Sequence, residues 1–187
     1  MRNSVAASEP KSAFSAKTGL DSIDERILDV LQRDARVLNT ALAAQVGLSP
    51  SPCLRRVRRL ERDGFISGYG ARIDRRRTGF EITAFLSIDI ERNRKLDTDV
   101  LRERIRALPE VIAAHIVSGE GDFLLEIVAP DLAAYSTFVL NVVNQLPGIK
   151  GLRSSIALEA VQPWAPLPLG PAETPRTARS RNPRRRV

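Results

Sequence analysis

Apolar residues recur along this chain with two different periods, and the change from one to the other divides it. Between Leu20 and Gly64 the period is helical. Ile23, Ile27, Val30 and Leu31 form one stripe behind Asp21, which can cap a helix start. Asn39 can cap a short second helix with Leu42 and Val46 inside, stopped by Gly47. Ser49 can cap a third, with Pro50 at its first position, where the missing N–H is harmless, and Pro52 still in the first turn. Cys53, Leu54, Val57 and Leu60 share its inward phase, and Gly64 should end it.

From Glu81 onward the period shortens to two. Ile82, Ala84, Leu86, Ile88 and Ile90 alternate with Thr83, Phe85, Ser87 and Asp89, as a half-buried strand requires. Leu101, Ile105 and Leu108 mark a helix closed by Pro109. Val111–Ser118 and Phe123–Val128 read as strands around the turn Gly119-Glu120-Gly121-Asp122. Asp131 can cap a helix carrying Leu132, Tyr135, Val139, Val142 and Leu146, stopped by Pro147-Gly148, and Ile149–Val161 reads as a last strand. The order βαββαβ is that of a ferredoxin-like unit, with the sheet on one side and the helices on the other. The fold class is therefore α+β, a helix-turn-helix followed by a ferredoxin-like domain.

Composition changes this picture mainly at the ends. Residues 1–19 are rich in Ser, Ala and Lys without sustained periodicity and read as a loose arm. From Pro163 the chain holds six prolines and ends in Arg184-Arg185-Arg186, a composition expected to form a disordered basic tail over 163–187. The intervening boundaries are 20–66 for the helical domain, 67–80 for a linker strand or hinge, and 81–162 for the second domain. The single cysteine, Cys53, rules out an intramolecular disulfide framework, fits a reducing compartment and reads as a small core residue. No apolar run is long enough to cross a bilayer and the start lacks a signal-peptide core, so the expected compartment is the cytoplasm.

The net charge of +7 matters for where it sits. Residues 20–80 carry twelve basic and eight acidic side chains, residues 81–162 carry eight and twelve, and residues 163–187 carry six and one. A basic first half and tail around an acidic middle indicate that one part meets a polyanion and another does not. The third helix concentrates the signal. Its apolar side can dock it while Arg55, Arg56, Arg58, Arg59 and Arg62 take the rest of its surface. That is the division of a recognition helix, whose N-terminal turn enters the major groove of double-stranded DNA. Ser49, Ser51 and Arg55 would then lie nearest the bases. Arg58, Arg59 and Arg62 would hold phosphates or pair with acids such as Glu61 and Asp63. Arg72, Arg75, Arg76 and Arg77 either extend this surface or belong to a solvated linker. The basic tail could add sequence-independent phosphate contacts.

The second block shows no catalytic set and no metal or cofactor motif. His115 is the only histidine, reads as a packed strand residue, and lies far in sequence from Cys53. Gly119-Glu120-Gly121 is too short for a dinucleotide fingerprint. An enzyme is not expected.

Leu20–Leu28 (LDSIDERIL) and Gly47–Asp74 (GLSPSPCLRRVRRLERDGFISGYGARID) resemble the leucine-responsive regulatory protein/AsnC family of feast/famine regulators. The resemblance continues through HIVSGEGDFLLEI, DLAAYSTFV and LPGIKGLRSSIALEAV and spans Leu20–Gln162. It implies a winged-helix-like DNA-binding domain joined to an effector-binding and oligomerisation domain, in a transcription regulator of amino-acid metabolism associated with the nucleoid. It also implies homodimers that assemble into higher even oligomers such as octamers, with an amino-acid effector held where dimers meet. Carried over by position, the pocket residues are Ser118, Gly119, Glu120, Gly121 and Asp122 with Ser154, Ser155 and Ile156. Loop amides could hold a carboxylate, and Asp122 an ammonium group. The family often has an aromatic residue just before the aspartate; Gly121 stands there and predicts more room or a softer loop. The alternative is a ligand-independent, DNA-bending architectural protein of the same fold.

Overall fold

The computed structural model describes residues 19–91 and 98–169. They fall into two units, one running to Ala71 and taken up again from Trp164, the other Arg72–Pro163.

The first unit contains three helices, α1 (Ser22–Arg33), α2 (Asn39–Val46) and α3 (Pro50–Arg62). Asp21 caps α1 with a reciprocal box: its carboxylate accepts from the backbone N–H groups of Ile23 and Asp24 at 3.0 and 2.9 Å, and Asp24 accepts from the Asp21 N–H at 3.4 Å. Gly47 ends α2 at φ +73°, a left-handed conformation that only glycine adopts without strain, and Leu48 N–H bonds back to Ala43 O at 2.9 Å. The three helices meet over Ile27, Leu28, Leu42, Ala43, Val46, Cys53 and Leu60. Burying each large side chain contributes about 1.5–3 kcal/mol. Burial pushes the Cys53 thiol pKa up and keeps it protonated, as a packing residue should be.

The second unit is a four-stranded antiparallel sheet with helices on one face. Its elements are β1 (Ile82–Ile90), α4 (Thr98–Arg106), β2 (Val111–Ile116), β3 (Phe123–Ala129), α5 (Leu132–Asn141), a 3-10 turn (Val143–Gln145) and β4 (Ile149–Ile156). The sheet order β2-β3-β1-β4 is the expected ferredoxin-like one. Ala84, Leu86 and Ile88 of β1 face the core with Leu125, Ile127, Leu101, Ile105, Tyr135 and Phe138. Phe85, Ser87 and Asp89 face the other way, as the alternation requires.

Several boundaries differ from the expectations, each for a local reason. Asn39 does not cap α2; it is the first helical residue, and Leu38 precedes it without a side-chain bond. Leu54 does not face the core of its unit: it is 39% exposed, at the edge of the apolar stripe. Helix α5 ends at Asn141, because the tighter turn after it puts Val143 in the core and leaves Val142 outside; Leu132 is exposed as well. Strand β4 ends at Ile156 rather than Val161, where it runs past the start of β1: Ala157 N–H reaches Thr83 O, and no neighbour follows. Strand β2 ends at Ile116, and His115 on it is exposed rather than packed. Residues 67–80 form no strand, pairing with none of the described strands; Asp74 instead organises a turn with Arg77 and Thr78. The segment from Pro163 does not stay apart as expected, for Leu169 packs against the α1–α3 core. The arm over residues 1–18 and the tail beyond Leu169 lie outside the described residues.

Candidate DNA interface and effector loop

Helix α3 is presented by its neighbours at two points. Its start is tied to α2, because Asn39 Nδ2 donates to the Pro50 carbonyl at 2.9 Å. The proline-bearing first turn is thereby aimed from the glycine turn at Gly47. Ser49 and Ser51 stand exposed there.

The second point is electrostatic. Asp24 is only 1% exposed, and its carboxylate receives Arg56 Nη1 at 2.8 Å and Arg59 Nη2 from α3. Arg56 also holds Asp21 Oδ2 at 2.6 Å. The backbone N–H of Asp24, followed by the Arg56 guanidinium, holds the Asp21 carboxyl below its ordinary range, and the same carboxylates push Arg56 upward. Two arginines that the sequence pattern assigns to the DNA surface are therefore occupied in docking the helix. A buried carboxylate requires such partners, since its desolvation is otherwise unopposed. The sequence does carry a signal for this: Asp24 lies three and four residues before Ile27 and Leu28, in the phase of the core.

Arg55, Arg58 and Arg62 are exposed. Arg62 Nε lies 3.1 Å from Asp63 Oδ1, a solvent-screened pair of small energetic weight. Arg55, Arg56, Arg59 and Arg62 line a shallow basic depression along the helix. Tyr69 donates to Glu61 at 2.8 Å, and desolvation together with that carboxylate pushes its phenol to about 12. This fixes the exit from α3. Beyond it Arg75 pairs with Glu126 of β3 at 2.8 Å, and Arg77 lies near Asp74, so these two serve the linker and sheet.

The expected effector residues lie on both faces of β4 and in the loop after β2. Ser154 and Ile156 are opposite Leu86 and Ala84 and share the helix face, where Ser154 Oγ accepts from Tyr135 at 2.7 Å. Ser155 is opposite Phe85, on the other face. The loop after β2 lies near the far end of β1. Asp122 N–H donates to Ile88 O at 2.8 Å, while its carboxylate accepts from Ile90 N–H at 2.9 Å, at the irregularity where β1 shifts register against β4. Asp122 thus braces the strand end. Ser118, Gly119 and Glu120 are exposed, and Glu120 lies 3.5 Å from Arg153.

Gly121 overturns one expectation. It does not open the loop. At φ +88° a Cβ would stand 2.2 Å from Ser87 Oγ, so glycine here lets the loop settle onto β1. Ser87 Oγ is buried beneath it without a hydrogen-bond partner.

Comparison with known proteins gives this geometry its context. A winged helix-turn-helix DNA-binding family model matches residues 20–67, and the Lrp/AsnC ligand binding domain model matches residues 83–165. The leucine-responsive regulatory proteins of Klebsiella pneumoniae and Escherichia coli are each 38% identical over 143 residues, covering 76% of this chain and 87% of theirs. Among solved structures, a Neisseria meningitidis transcriptional regulator in complex with L-Met is 35% identical with a TM-score of 0.76, over 80% of this chain and 97% of that one. An AsnC family transcriptional regulator from Agrobacterium tumefaciens is 33% identical with a TM-score of 0.75 over the same shares. Escherichia coli AsnC, at 22% identity and a TM-score of 0.72 over 78% of this chain and 97% of that one, shares the fold.

Proposed function

This chain belongs to the Lrp/AsnC family of DNA-binding transcriptional regulators, and from that premise we propose how its arginine helix divides its work. Ser49, Ser51, Arg55 and Arg58 face base edges and phosphates, and Arg62 faces a flanking phosphate. Arg56 and Arg59 hold α3 against α1 and lend the groove-facing depression their charge. The observation that carries this reading is the buried Asp24 carboxylate, which draws those two guanidinium groups to one side and leaves Arg55 and Arg58 exposed. Replacing Arg55 by Ala is expected to lower affinity for the operator by about 1–3 kcal/mol and to relax preference at the base pair it reads. Anisotropy titrations on operator variants measure both; an Arg55→Ala protein with unchanged affinity and preference contradicts the assignment.

The second unit is the ligand-binding domain of the family, and an amino acid is the effector class we assign to it. The Met-bound Neisseria relative supports that class. Ser154 and Ser155 lie on opposite faces of one sheet, so a single chain presents the two hydroxyls to different sides. A site completed by a second copy accounts for this, and with it a homodimer that assembles into even multimers. Two recognition helices would then meet half-sites about 34 Å apart. Binding of the effector shifts assembly, and DNA affinity follows by linkage. Calorimetry against L-Met, L-Leu and the other common amino acids tests it, with heat from at least one as the expected result. Silence from all of them favours a ligand-independent, DNA-bending protein. The closed loop over Ser87 and the engaged Asp122 are the observations on that side. For a protein that acts on DNA we assign the cytoplasm, at the nucleoid, as its compartment, and we assign no catalytic step to it.

A further inference from the structure

The start of α3 lacks a bond that the starts of α1 and α5 have. Asp21 caps α1 by accepting from the N–H groups of Ile23 and Asp24, and the Asp131 carboxylate caps α5 by accepting from Ala134 N–H at 2.7 Å. In both helices the third residue is a donor to the cap. Ser49 stands at the same place before α3, in an extended conformation that suits a cap, yet its side chain makes no cap hydrogen bond. The sequence explains this. The third residue of α3 is Pro52, which has no N–H, and the first is Pro50, which has none either. The helix thereby leaves the Ser49 hydroxyl unspent, on an exposed turn with Ser51.

A helix start without a cap needs another hold. The Asn39 carboxamide provides it across the glycine turn, donating from Nδ2 to the Pro50 carbonyl at 2.9 Å. Turning the amide over would set oxygen against oxygen, so Oδ1 points the other way and is buried without a hydrogen-bond partner. An apolar side chain of similar size would fill the space without stranding an acceptor. What Asn39 supplies beyond that is the donor. Prolines fix φ at two of the first three positions of α3, so the turn is stiff, and a hold on one of its carbonyls places both serine hydroxyls.

We propose that Asn39 is a positioning residue for sequence preference: it holds the uncapped first turn of α3 so that the Ser49 and Ser51 hydroxyls meet base edges in a fixed register. The inference rests on the base-edge reading of α3 above and deepens it. Phosphate contacts depend on charge and tolerate small displacements, whereas a hydrogen bond to a base edge weakens steeply with distance and angle. Loss of the Asn39 hold is therefore felt as lost preference rather than as lost attraction.

The test selects duplexes from a random-sequence pool with the full unaltered chain, then measures affinity for the selected duplex and for a mixed-sequence duplex by anisotropy. Asn39→Leu removes the donor and the stranded acceptor together without adding charge. Its ratio of selected to mixed affinity should fall about fivefold, with mixed-duplex affinity held within about twofold and the urea midpoint unchanged or raised. Asn39→Asp, which keeps the shape and loses the donor, should lower the ratio as far, its added charge weakening both duplexes alike. Pro52→Ala approaches from the other side. It restores the N–H that a Ser49 cap needs, so the hydroxyl is drawn back to the helix and the ratio should fall about threefold. In a Ser49→Ala chain the same proline substitution should leave the ratio where it was. An unchanged ratio in Asn39→Leu and Asn39→Asp overturns the proposal, and so does an equal proportional loss on both duplexes in Asn39→Leu, which marks a merely structural residue. A fall in Pro52→Ala that persists in full in the Ser49→Ala chain overturns the freed hydroxyl. If the unaltered chain selects no sequence from the pool, the base-edge reading itself fails and the role of Asn39 falls with it.

Discussion

Helix α3 and the loop from Ser118 to Asp122 both concentrate polar residues, yet they use them differently. On α3 the surplus is real. Five arginines share one helix, two are bound by a buried carboxylate, and others remain exposed for a partner. In the loop the groups best suited to a ligand are turned inward on the fold: Asp122 braces the end of β1, and Gly121 lies on Ser87. A charged side chain is available for recognition only after the backbone and the buried charges around it have been satisfied. The α3 surface therefore presents free charge within one chain, whereas the loop spends its polar groups on the fold.

The contrast is most exposed at the carboxylate that creates it. Asp24→Ala deletes a capping-box partner and the acceptor of two guanidinium groups. Because those arginines can turn back to water, the expected loss is about 2–4 kcal/mol, below the full cost of stranding a buried charge. Urea unfolding should show it in the first unit. A stability loss below about 1 kcal/mol would mean that Asp24 does not hold α3.

Much of this arrangement is legible in the chain. The switch of period at Glu81, the glycine turn at Gly47 and the Ser49-Pro50 start of α3 follow from local rules that act within a few residues. The ferredoxin-like order follows from them. The long-range pairings do not, because they join residues far apart. Arg56 and Asp24 are 32 positions apart and Gln32 and Leu167 are 135, and each meeting depends on how the chain packs back onto α1. Asn39 misleads for the same reason: locally its carboxamide looks like a cap, but it reaches the first turn of the next helix. Gly121 suggests space along the chain, whereas its neighbour across the fold is Ser87.

The loop side of the contrast turns on that last pair. Gly121→Ala should destabilise the second unit by about 1–3 kcal/mol, from a strained positive φ and the encounter with Ser87. In a Ser87→Ala background the steric part disappears, so the same substitution should cost only about 1 kcal/mol. Thermal unfolding of the four proteins gives the coupling, and strict additivity would show that the loop does not rest on Ser87.

A smaller effect separates Asp21 from Asp24. The Asp21 carboxyl is depressed below its ordinary value of 3.8 in the folded chain, so its contribution is complete above that value and is lost as pH falls through the lower folded pKa. Half exposed, it is screened by solvent and is worth only about 0.5 kcal/mol. Asp21→Asn should remove this acid-side increment, seen as a smaller fall in melting temperature from pH 5 to pH 2. An unchanged acid profile would leave Asp21 out of the α1–α3 linkage.

Whether neighbouring arginines of α3 do different work is decided by paired measurements on Arg56→Met and Arg58→Met. For each protein, operator affinity by anisotropy is set beside the unfolding free energy in urea. Arg58→Met is expected to lose about tenfold or more in affinity at unchanged stability. Arg56→Met is expected to lose about 1–2 kcal/mol of stability while the folded protein keeps most of its affinity. The reverse pattern, with Arg56→Met folded as firmly as before but unable to hold DNA, would contradict this division of labour.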